Sequence, residues 1–304
     1  MCGIIGILGK TDVADRILDG LKRLEYRGYD SAGIATLVNG HIDRRRAEGK
    51  LSALGELLAA RPLPGDAGIG HTRWATHGAP TEANAHPHAT TKLAIVHNGI
   101  IENFQELRDE LERGGARFTS ETDTEVVAQL ITRHLEEGMG PKDATFAALN
   151  RLHGAFAFAI VFAGEHDLMI GARRGSPLAV GYGEGEMYLG SDALALAGLT
   201  NRIAYLDEGD WAVLDRRGAA IYDAEGRPAE RPIRTTSLSA AMTGKGEYRH
   251  FMLKEIYEQP TVIGETLKSF IGAQGSSVAL PPLPFGFSKL SRLTIVACGT
   301  AYYA

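Results

Sequence analysis

The stretch that decides the fold is MCGIIGILG (residues 1–9), in which a cysteine directly precedes an apolar run. A secretory signal needs a positively charged start, a longer apolar core and a small-residue cleavage site, and this stretch has none of them. Cys2 is therefore expected to belong to the mature protein. After removal of Met1, Cys2 carries a thiol and a free α-amine that can accept the thiol proton near neutral pH. The alternative is an incidental cysteine that lies before a buried strand.

The composition is that of an ordinary globular protein. The chain has 304 residues, 44% hydrophobic and 23% charged, with a net charge of −5. The charges are interleaved, so neither a nucleic-acid face nor a polybasic membrane patch is predicted, and the cluster Arg44–Arg46 is interpreted as a solvated strand or turn. No apolar run reaches the roughly 20 residues of a membrane helix. Two distant cysteines, Cys2 and Cys298, argue against a disulfide framework and indicate the cytoplasm.

Apolar periodicity up to about residue 225 predicts hairpins mixed with helix pairs. A first helix is expected with Thr11 or Asp12 as its cap and Gly28 as its stop. Asn39-Gly40 predicts a tight hairpin, and Pro62 ends a second helix. Two further helices are predicted over 102–115 and 124–138, two buried strands over 68–75 and 93–101, and several strands between 155 and 223. This pattern predicts an α+β domain with layered sheets, not a doubly wound parallel sheet.

The character of the sequence changes after residue 225. Residues 226–246 are polar and contain Pro and Gly, which indicates a linker, and helical spacing returns over 247–271. The final stretch TIVACGTAYYA (294–304) reads as an apolar strand that begins a domain whose remainder is absent. The predicted organisation is therefore a domain over 2–225, a linker with a helix over 226–289, and the start of another domain over 290–304.

The motif HTRWATHG (71–78) gathers polar side chains at the end of a predicted strand. Arg73 suits a carboxylate, and Trp74 can cover a small substrate and exclude water. The alternative is a surface strand end with an ion pair. The histidines of this motif and of HPH (86–88) do not match a common zinc-ligand spacing, so no metal and no cofactor is predicted.

Two further motifs have a structural and a functional interpretation. In VHNGIIEN (96–103), the pair Asn98-Gly99 is either a hairpin turn or an oxyanion hole formed by a side-chain amide and a backbone N–H. In TSETDTEV (119–126), Thr122 or Asp123 can cap a helix, or Asp123 can bind a substrate ammonium group.

Taken together, these motifs resemble the glutaminase half of the glutamine–fructose-6-phosphate aminotransferase family. MCGIIG is shared by class II glutamine amidotransferases in general. The resemblance is narrowed to this family by YRGYDSAG (26–33) and KEIYEQP (254–260). KEIYEQP and ACGTAYYA (297–304) also resemble the start of the family's sugar-isomerase half. The resemblance implies the four-layer αββα sandwich of N-terminal-nucleophile hydrolases, followed by a linker and the first strand of a truncated α/β sugar-isomerase domain.

The resemblance also implies roles for individual residues. Cys2 forms a γ-glutamyl thioester with L-glutamine, while Asn98 and the Gly99 N–H hold the oxyanion. Arg73 binds the α-carboxylate and Asp123 the α-ammonium group. Three residues shape the loop over the substrate: Trp74, Thr76 and His77.

The family passes the released ammonia to fructose 6-phosphate, and this step requires the isomerase half. Thr300 matches a sugar-phosphate-binding residue, but Ala301 replaces a serine found in many members, so one hydrogen bond is in doubt. The chain is therefore expected to retain the glutaminase step alone, without amino-sugar formation, and full-length members are expected to be homo-oligomers.

Three alternatives remain open at this stage. One is another class II amidotransferase, such as the phosphoribosyl-pyrophosphate or asparagine-forming enzymes, against which the C-terminal stretch argues. The second is a regulatory module that binds glutamine without turnover, against which the set of Cys2, Asn98 and Gly99 argues. The third is a structural α+β domain, which requires all five motifs to be accidental.

Overall fold

The computed structural model describes residues 2–236, 246–268, 270–271, 277–278, 284–297 and 302. The chain divides into two compact units, Met1–Gly244 and Lys245–Ala304. The sequence-based domain boundary at residue 225 lies before the last strand of the first unit, and the functional division into three segments stays a prediction. Two calls on the C-terminal stretch, Thr300 and Ala301, lie outside the described residues.

The first unit alternates hairpins with helix pairs. Its strands are β1 (Gly3–Leu8), β2 (Ser31–Val38), β3 (His41–Glu48), β4 (Ala67–Arg73), β5 (His88–Ala89), β6 (Leu93–Ile101), β7 (Gly154–Phe162), β8 (Met169–Arg174), β9 (Ala179–Tyr182), β10 (Met187–Gly190), β11 (Arg202–Tyr205), β12 (Trp211–Asp215), β13 (Gly218–Tyr222) and β14 (Arg234–Thr235). Its helices are α1 (Ala14–Lys22), α2 (Leu51–Ala60), α3 (Phe104–Arg113), α4 (Asp123–Glu136), α5 (Pro141–Leu149) and α6 (Ala193–Leu196).

The strands form two antiparallel sheets. Within the described residues, one sheet has eight strands in the order β14-β11-β9-β10-β1-β4-β2-β3, and the other has six in the order β13-β12-β8-β7-β6-β5. β1 lies inside the larger sheet between β10 and β4. β6 lies inside the smaller sheet and pairs with β7 along its full length. Cys2, which directly precedes β1, and Asn98, which lies inside β6, are thus held by different sheets.

The apolar run of β1 is explained by burial on both of its faces. Ile4 and Leu8 pack in the core between the two sheets, whereas Ile5 and Ile7 pack against α1 and α2 on the outer face. Since successive strand side chains point to opposite faces, a strand covered on both sides reads as continuously apolar. A third core joins the smaller sheet to α3, α4 and α5. The layer order is helices, sheet, sheet, helices, which confirms the α+β prediction.

The start of α1 differs from the prediction. Val13 occupies the N-cap, and no side chain caps the helix. Asp12 instead accepts a hydrogen bond from the Gly65 N–H over 2.9 Å, so the predicted cap at Thr11 or Asp12 is wrong. The helix ends at Lys22, and a 3₁₀ turn continues until Gly28, whose φ of +75° favours glycine.

The two Asn-Gly pairs have different structures. Asn39 and Gly40, with φ of +50° and +80°, form the predicted tight turn between β2 and β3. Asn98 and Gly99 lie inside β6, opposite Ala157 and Phe156 of β7. The hairpin interpretation of Asn98-Gly99 is therefore wrong.

The basic cluster Arg44–Arg46 lies in β3, as a strand, but it is not solvated as predicted. Arg45 is buried, and its guanidinium donates to the carbonyl oxygens of Arg61 and Pro62 over 3.0 and 3.2 Å. Arg44 donates to the Pro87 carbonyl over 3.1 Å. These arginines satisfy backbone groups of neighbouring segments, which local sequence does not reveal.

The second unit contains the predicted helix, α7 (Phe251–Lys268). The predicted strand near residue 294 is not confirmed, because residues 292–297 form no strand. Ile295 and Val296 are 84% and 89% exposed. A strand satisfies its backbone groups through a neighbouring strand, and residues 292–297 pair with none in the described part of the chain. Among the helices described, none combines the length and apolarity needed to cross a membrane.

An ion pair between α1 and β10 provides a pH-dependent test of the fold. Arg16 donates to both carboxylate oxygens of Glu186, over 2.9 and 2.6 Å. The Lys10 backbone N–H adds a third bond, over 2.9 Å. The hydrogen bond from Arg16 lowers the pKa of Glu186 to about 2. A carboxyl whose pKa falls on folding stabilises the protein above its unfolded-state pKa and loses that contribution as pH falls through the folded-state value.

We expect Glu186→Gln to lower the free energy of unfolding by about 1–2 kcal/mol at pH 7, a value reduced for solvent screening of a partly exposed pair. The difference from the unsubstituted protein should shrink as pH falls from about 5 towards 2. Thermal unfolding at several pH values measures it, with Asp19→Asn, which removes an exposed pair with Lys22, as the control. A difference that stays constant down to pH 2 contradicts the assignment.

Candidate active site

Cys2 stands where β1 begins and β4 ends. The strands are antiparallel with Gly3 opposite Thr72, so the residue before Gly3 lies beside the segment that follows β4. The backbone N–H of Trp74 donates a hydrogen bond to Cys2 Sγ over 3.1 Å. The HTRWATHG motif thus lies at a strand end, as predicted, and directly against the thiol.

The surroundings of the Cys2 thiol favour its protonated form. Burial raises its pKa above the ordinary value, and this effect outweighs the hydrogen bond from Trp74 and the positive charge of Arg73, which both act in the opposite direction. Because the thiolate is the reactive form, a nucleophile in this environment needs a base that takes its proton as the reaction begins.

The smaller sheet contributes Asn98 and Gly99 to the surroundings of Cys2. Asn98 Nδ2 donates to the carbonyl oxygen of Cys2 over 3.2 Å, and its Oδ1 lies 2.9 Å from Nε2 of His71. Gly99 has a φ of +130°, and a Cβ built at this position would lie 2.0 Å from the Ala155 carbonyl oxygen. Both the backbone conformation and the space at Gly99 therefore require glycine.

Arg73 organises the loop that follows β4. Its guanidinium donates to the carbonyl oxygens of His77, Gly78 and Ala79, over 3.4 Å to Gly78 and 3.3 Å to Ala79. Asp30 holds the near end of the loop, because its carboxylate accepts from the Ala75 N–H over 2.6 Å. The loop is fixed at both ends, and Arg73 is buried beneath it.

The loop carries the predicted substrate-covering residues. Trp74 is 54% exposed, and its ring lies where a Cβ at Gly28 would approach it to 3.0 Å. His77 packs edge-on against the ring of Phe104, with 5.1 Å between centroids. Thr76 is exposed on the same loop. An exposed indole beside a buried arginine is suited to cover a small polar ligand.

Asp123 also lines the cleft and is the first residue of α4. Thr122 is the N-cap and its side chain accepts from the Glu125 N–H over 3.3 Å, which confirms the cap prediction for Thr122 and leaves Asp123 for another role. Asp123 is buried and accepts from the Ile101 N–H over 2.9 Å. A helix N-terminus favours a carboxylate in its charged form.

These side chains surround a cleft with about 270 Å³ of space not filled by protein atoms, some of it open to solvent. Arg73 and Asp123 place opposite charges on the lining of this cleft, together with Cys2. The predicted site residues that line the cleft are Cys2, Arg73, Trp74, Thr76, His77, Gly99 and Asp123. Asn98 contacts the Cys2 backbone from behind, and Thr300 lies outside the described residues.

A buried histidine cluster supports the cleft. Thr124 Oγ1 lies 2.8 Å from Nε2 of His86 and 2.9 Å from Nδ1 of His97. His88 Nε2 lies 2.9 Å from Oγ1 of Thr122. Burial lowers the pKa of every one of these histidines, so they are neutral at working pH. No group of side chains in the described ranges has a geometry that could hold a metal ion.

Several supporting side chains lie inside the motifs but were not assigned from sequence. They are Arg27, which donates to the Cys2 carbonyl over 3.3 Å, together with Asp30, His97 and Thr124. In the sequence, these four residues are recognisable only as polar or charged residues within the motifs. That pattern does not distinguish a supporting side chain from a solvated one, because the groups to which these side chains bond come from distant segments.

Comparison with known proteins places the site in a family context. Residues 71–198 match the family described as "Glutamine amidotransferase domain". Over all 304 residues the chain is 60% identical to the glutamine–fructose-6-phosphate aminotransferase (isomerizing) of Brucella suis biovar 1, 60% to that of Zymomonas mobilis and 56% to that of Caulobacter vibrioides. In each case it covers 50% of the relative, so the chain spans about half the length of the curated relatives it matches.

A solved structure shares the architecture of the first unit. It is the glutamine phosphoribosylpyrophosphate amidotransferase of B. subtilis complexed with ADP and GMP, with a TM-score of 0.63 and 27% identity. The match covers 73% of this chain and 49% of that one. A class II glutamine aminotransferase domain protein from Silicibacter pomeroyi, with a TM-score of 0.51 and 18% identity, has the same fold.

Proposed function

We propose that this chain is a glutamine amidotransferase that hydrolyses the side-chain amide of L-glutamine at Cys2 and releases ammonia for transfer to fructose 6-phosphate. The observation that carries the proposal is a cleft whose lining combines the Cys2 thiol, an arginine, an aspartate and an exposed tryptophan. Each of the two charged side chains matches one charged group on the α-carbon of a free amino acid.

The reaction begins when Cys2 Sγ attacks the amide carbon and a carbon–sulfur bond forms. The thiol proton passes to the α-amine of Cys2, which removal of Met1 exposes and which provides the base that a protonated thiol requires. The tetrahedral intermediate collapses, the carbon–nitrogen bond breaks, and the same amine returns the proton to the departing nitrogen as ammonia. Water then hydrolyses the γ-glutamyl thioester, which releases glutamate and regenerates the thiol.

Asn98 and Gly99 stabilise the negative oxygen of both tetrahedral intermediates. One Nδ2 hydrogen of Asn98 is donated to the Cys2 carbonyl, and the second remains for the oxyanion. The Gly99 N–H is the other donor. Removal of one preorganised donor of this kind typically costs about 10²–10³-fold in rate.

Recognition of glutamine rests on two opposite charges that bind the groups on its α-carbon. Arg73 binds the α-carboxylate and Asp123 the α-ammonium group, so a simple amide gains neither interaction. Three loop residues, Trp74, Thr76 and His77, cover the substrate and exclude water. The buried position of both charged partners makes each substrate interaction stronger than it would be in solvent.

We expect Asp123→Asn to raise the KM for glutamine about 10–100-fold with a smaller change in kcat, because the charge is lost while the hydrogen bond from Ile101 can be kept. The preference for glutamine over glutaramic acid, which lacks the α-amino group, should fall by a similar factor. The matched control is Glu121→Gln, a nearby carboxylate that bonds to Asn84. An unchanged preference in Asp123→Asn contradicts the ammonium role.

The proposal is tested by glutamate release from L-glutamine, measured on this untagged chain with fructose 6-phosphate in the same tube. We expect glutamate and ammonia in equal amounts and no amino sugar. Glutamine binding without glutamate release supports the regulatory-module alternative instead. If phosphoribosyl pyrophosphate, rather than fructose 6-phosphate, consumes the ammonia in a full-length relative of this chain, the phosphoribosyl-pyrophosphate alternative is favoured.

The identity of 60% over the whole chain supports fructose 6-phosphate as the acceptor over phosphoribosyl pyrophosphate, for which the matching structure is 27% identical. The proposal has three further parts, which rest on the resemblance of the motifs. Thr300 binds the sugar phosphate, the full-length protein forms a homo-oligomer, and its location is the cytoplasm.

A further inference from the structure

We propose that His71 is a positioning residue that fixes the orientation of the Asn98 side-chain amide, so that Nδ2 faces the nucleophile and the oxyanion. The inference rests on the proposed function for its kinetic consequence but on hydrogen-bond chemistry for its geometry. His71 itself does not touch the substrate in this scheme. It acts through Asn98.

The orientation of the amide follows from the groups around it. The Cys2 carbonyl oxygen can only accept a hydrogen bond, so the Asn98 atom 3.2 Å away must be the donor, Nδ2. Oδ1 then faces Nε2 of His71 over 2.9 Å. Because Oδ1 can only accept, Nε2 must carry a hydrogen. One tautomer of His71 is therefore compatible with both bonds.

The surroundings of His71 hold this arrangement in place. His71 lies in β4, opposite Ile4 of β1 and Gly33 of β2, and it has no solvent exposure. Its ring packs against that of His86, with 4.3 Å between centroids. Burial lowers the pKa of His71 to about 3, so the neutral ring persists over the whole working range. The neutral ring already carries the hydrogen at Nε2, so the hydrogen bond to Asn98 does not require a positively charged histidine.

The alternative orientation of Asn98 would place Oδ1 against the Cys2 carbonyl oxygen. Two acceptors would then face each other, and the oxyanion would meet an oxygen in place of an N–H. The Cys2 carbonyl and His71 together set the preference for the observed orientation, so loss of the His71 hydrogen bond weakens that preference. Since the oxyanion exists only after attack, the loss should reduce kcat more than it raises KM.

The first test is a double-mutant cycle on glutamate release. His71→Phe should lower kcat about 10–100-fold with little change in KM, whereas His71→Gln, which keeps a side-chain N–H donor, should retain more activity. In an Asn98→Ala background the same His71 substitutions should change kcat less than about threefold. His88→Gln removes a buried histidine that bonds to Thr122, not to Asn98, and its effect should add to that of Asn98→Ala. Equal effects of His71→Phe in both backgrounds overturn the proposal.

The second test needs no activity. Long-range ¹⁵N–¹H correlation spectra of the protein labelled at histidine nitrogens, with His71→Gln to assign the signal, report the tautomer at pH 7. A neutral ring protonated at Nε2 is expected, and a ring protonated only at Nδ1 overturns the proposal. If no glutamate is released but the Nε2 tautomer is observed, the proposed function fails and the positioning hydrogen bond stands. Thermal unfolding of each variant identifies any that has merely lost its fold.

Discussion

Replacement of Cys2 with alanine is expected to lower the rate of glutamate release by at least about 10⁴-fold, because the substitution removes the atom that forms the thioester. The fold should be retained, since the hydrogen bonds of Sγ in the described structure are with the Trp74 backbone alone and the apolar packing of β1 begins at Ile4. Glutamate release by the purified proteins measures the effect, and calorimetric titration with glutamine shows whether the binding site remains.

A matched control tests whether the α-amine of Cys2 is the base, because it keeps the Cys2 thiol and removes the free α-amine of that residue. A version of the chain that retains Met1 should be nearly as inactive as Cys2→Ala, although its cysteine still reacts with an alkylating agent. Mass spectrometry establishes which form is present. If Cys2→Ala releases glutamate at the rate of the unsubstituted chain, Cys2 is not the nucleophile. If the Met1-retaining form is fully active, another group serves as the base.

The α+β class and several strands and turns of the first unit could be predicted from the sequence because their signals are local. The run IIGIL is apolar at every position since β1 is buried on both faces, and Asn39-Gly40 specifies its own turn through positive φ angles. The helix α5 was not predicted, although Pro141 at its first turn is an ordinary start signal. Its short, weakly amphipathic sequence explains the omission.

Local sequence could not distinguish the two Asn-Gly pairs. Each pair has an apolar residue on one side and a histidine on the other. The difference arises from β7, more than 50 residues away, which pairs with Asn98 and Gly99 and keeps them in a strand. Arg44–Arg46 is a similar case, because Arg44 and Arg45 donate hydrogen bonds to carbonyl oxygens of segments that are distant in the sequence. From the residues alone, the proposed roles of Asn98 and Asp123 were one of two alternatives each, and the family resemblance favoured them. The hydrogen bonds that position these side chains required the fold.

The second large effect is expected at Gly99. Gly99→Ala should lower the free energy of unfolding by about 3–5 kcal/mol, the range of severe single substitutions. A Cβ at Gly99 would lie 2.0 Å from the Ala155 carbonyl oxygen and 2.9 Å from the Phe156 Cα, so β6 and β7 must separate locally. For a domain of this size the loss corresponds to a fall in Tm of roughly 6–20 °C. Chemical denaturation and differential scanning calorimetry measure it.

Gly49→Ala separates the two causes of that loss. Gly49 also has a positive φ, +80°, but a Cβ there meets no atom within 4 Å, so its substitution measures conformational strain without overlap, about 1–2 kcal/mol. The excess at Gly99 is then the cost of moving β7. Since Gly99 also contributes the second oxyanion donor, any folded Gly99→Ala protein should have a kcat lowered by at least about 100-fold, whereas Gly49→Ala should keep its kcat. Equal stability losses at the two positions would show that β6 accommodates the methyl group, and a normal kcat in Gly99→Ala would remove its N–H from the oxyanion hole.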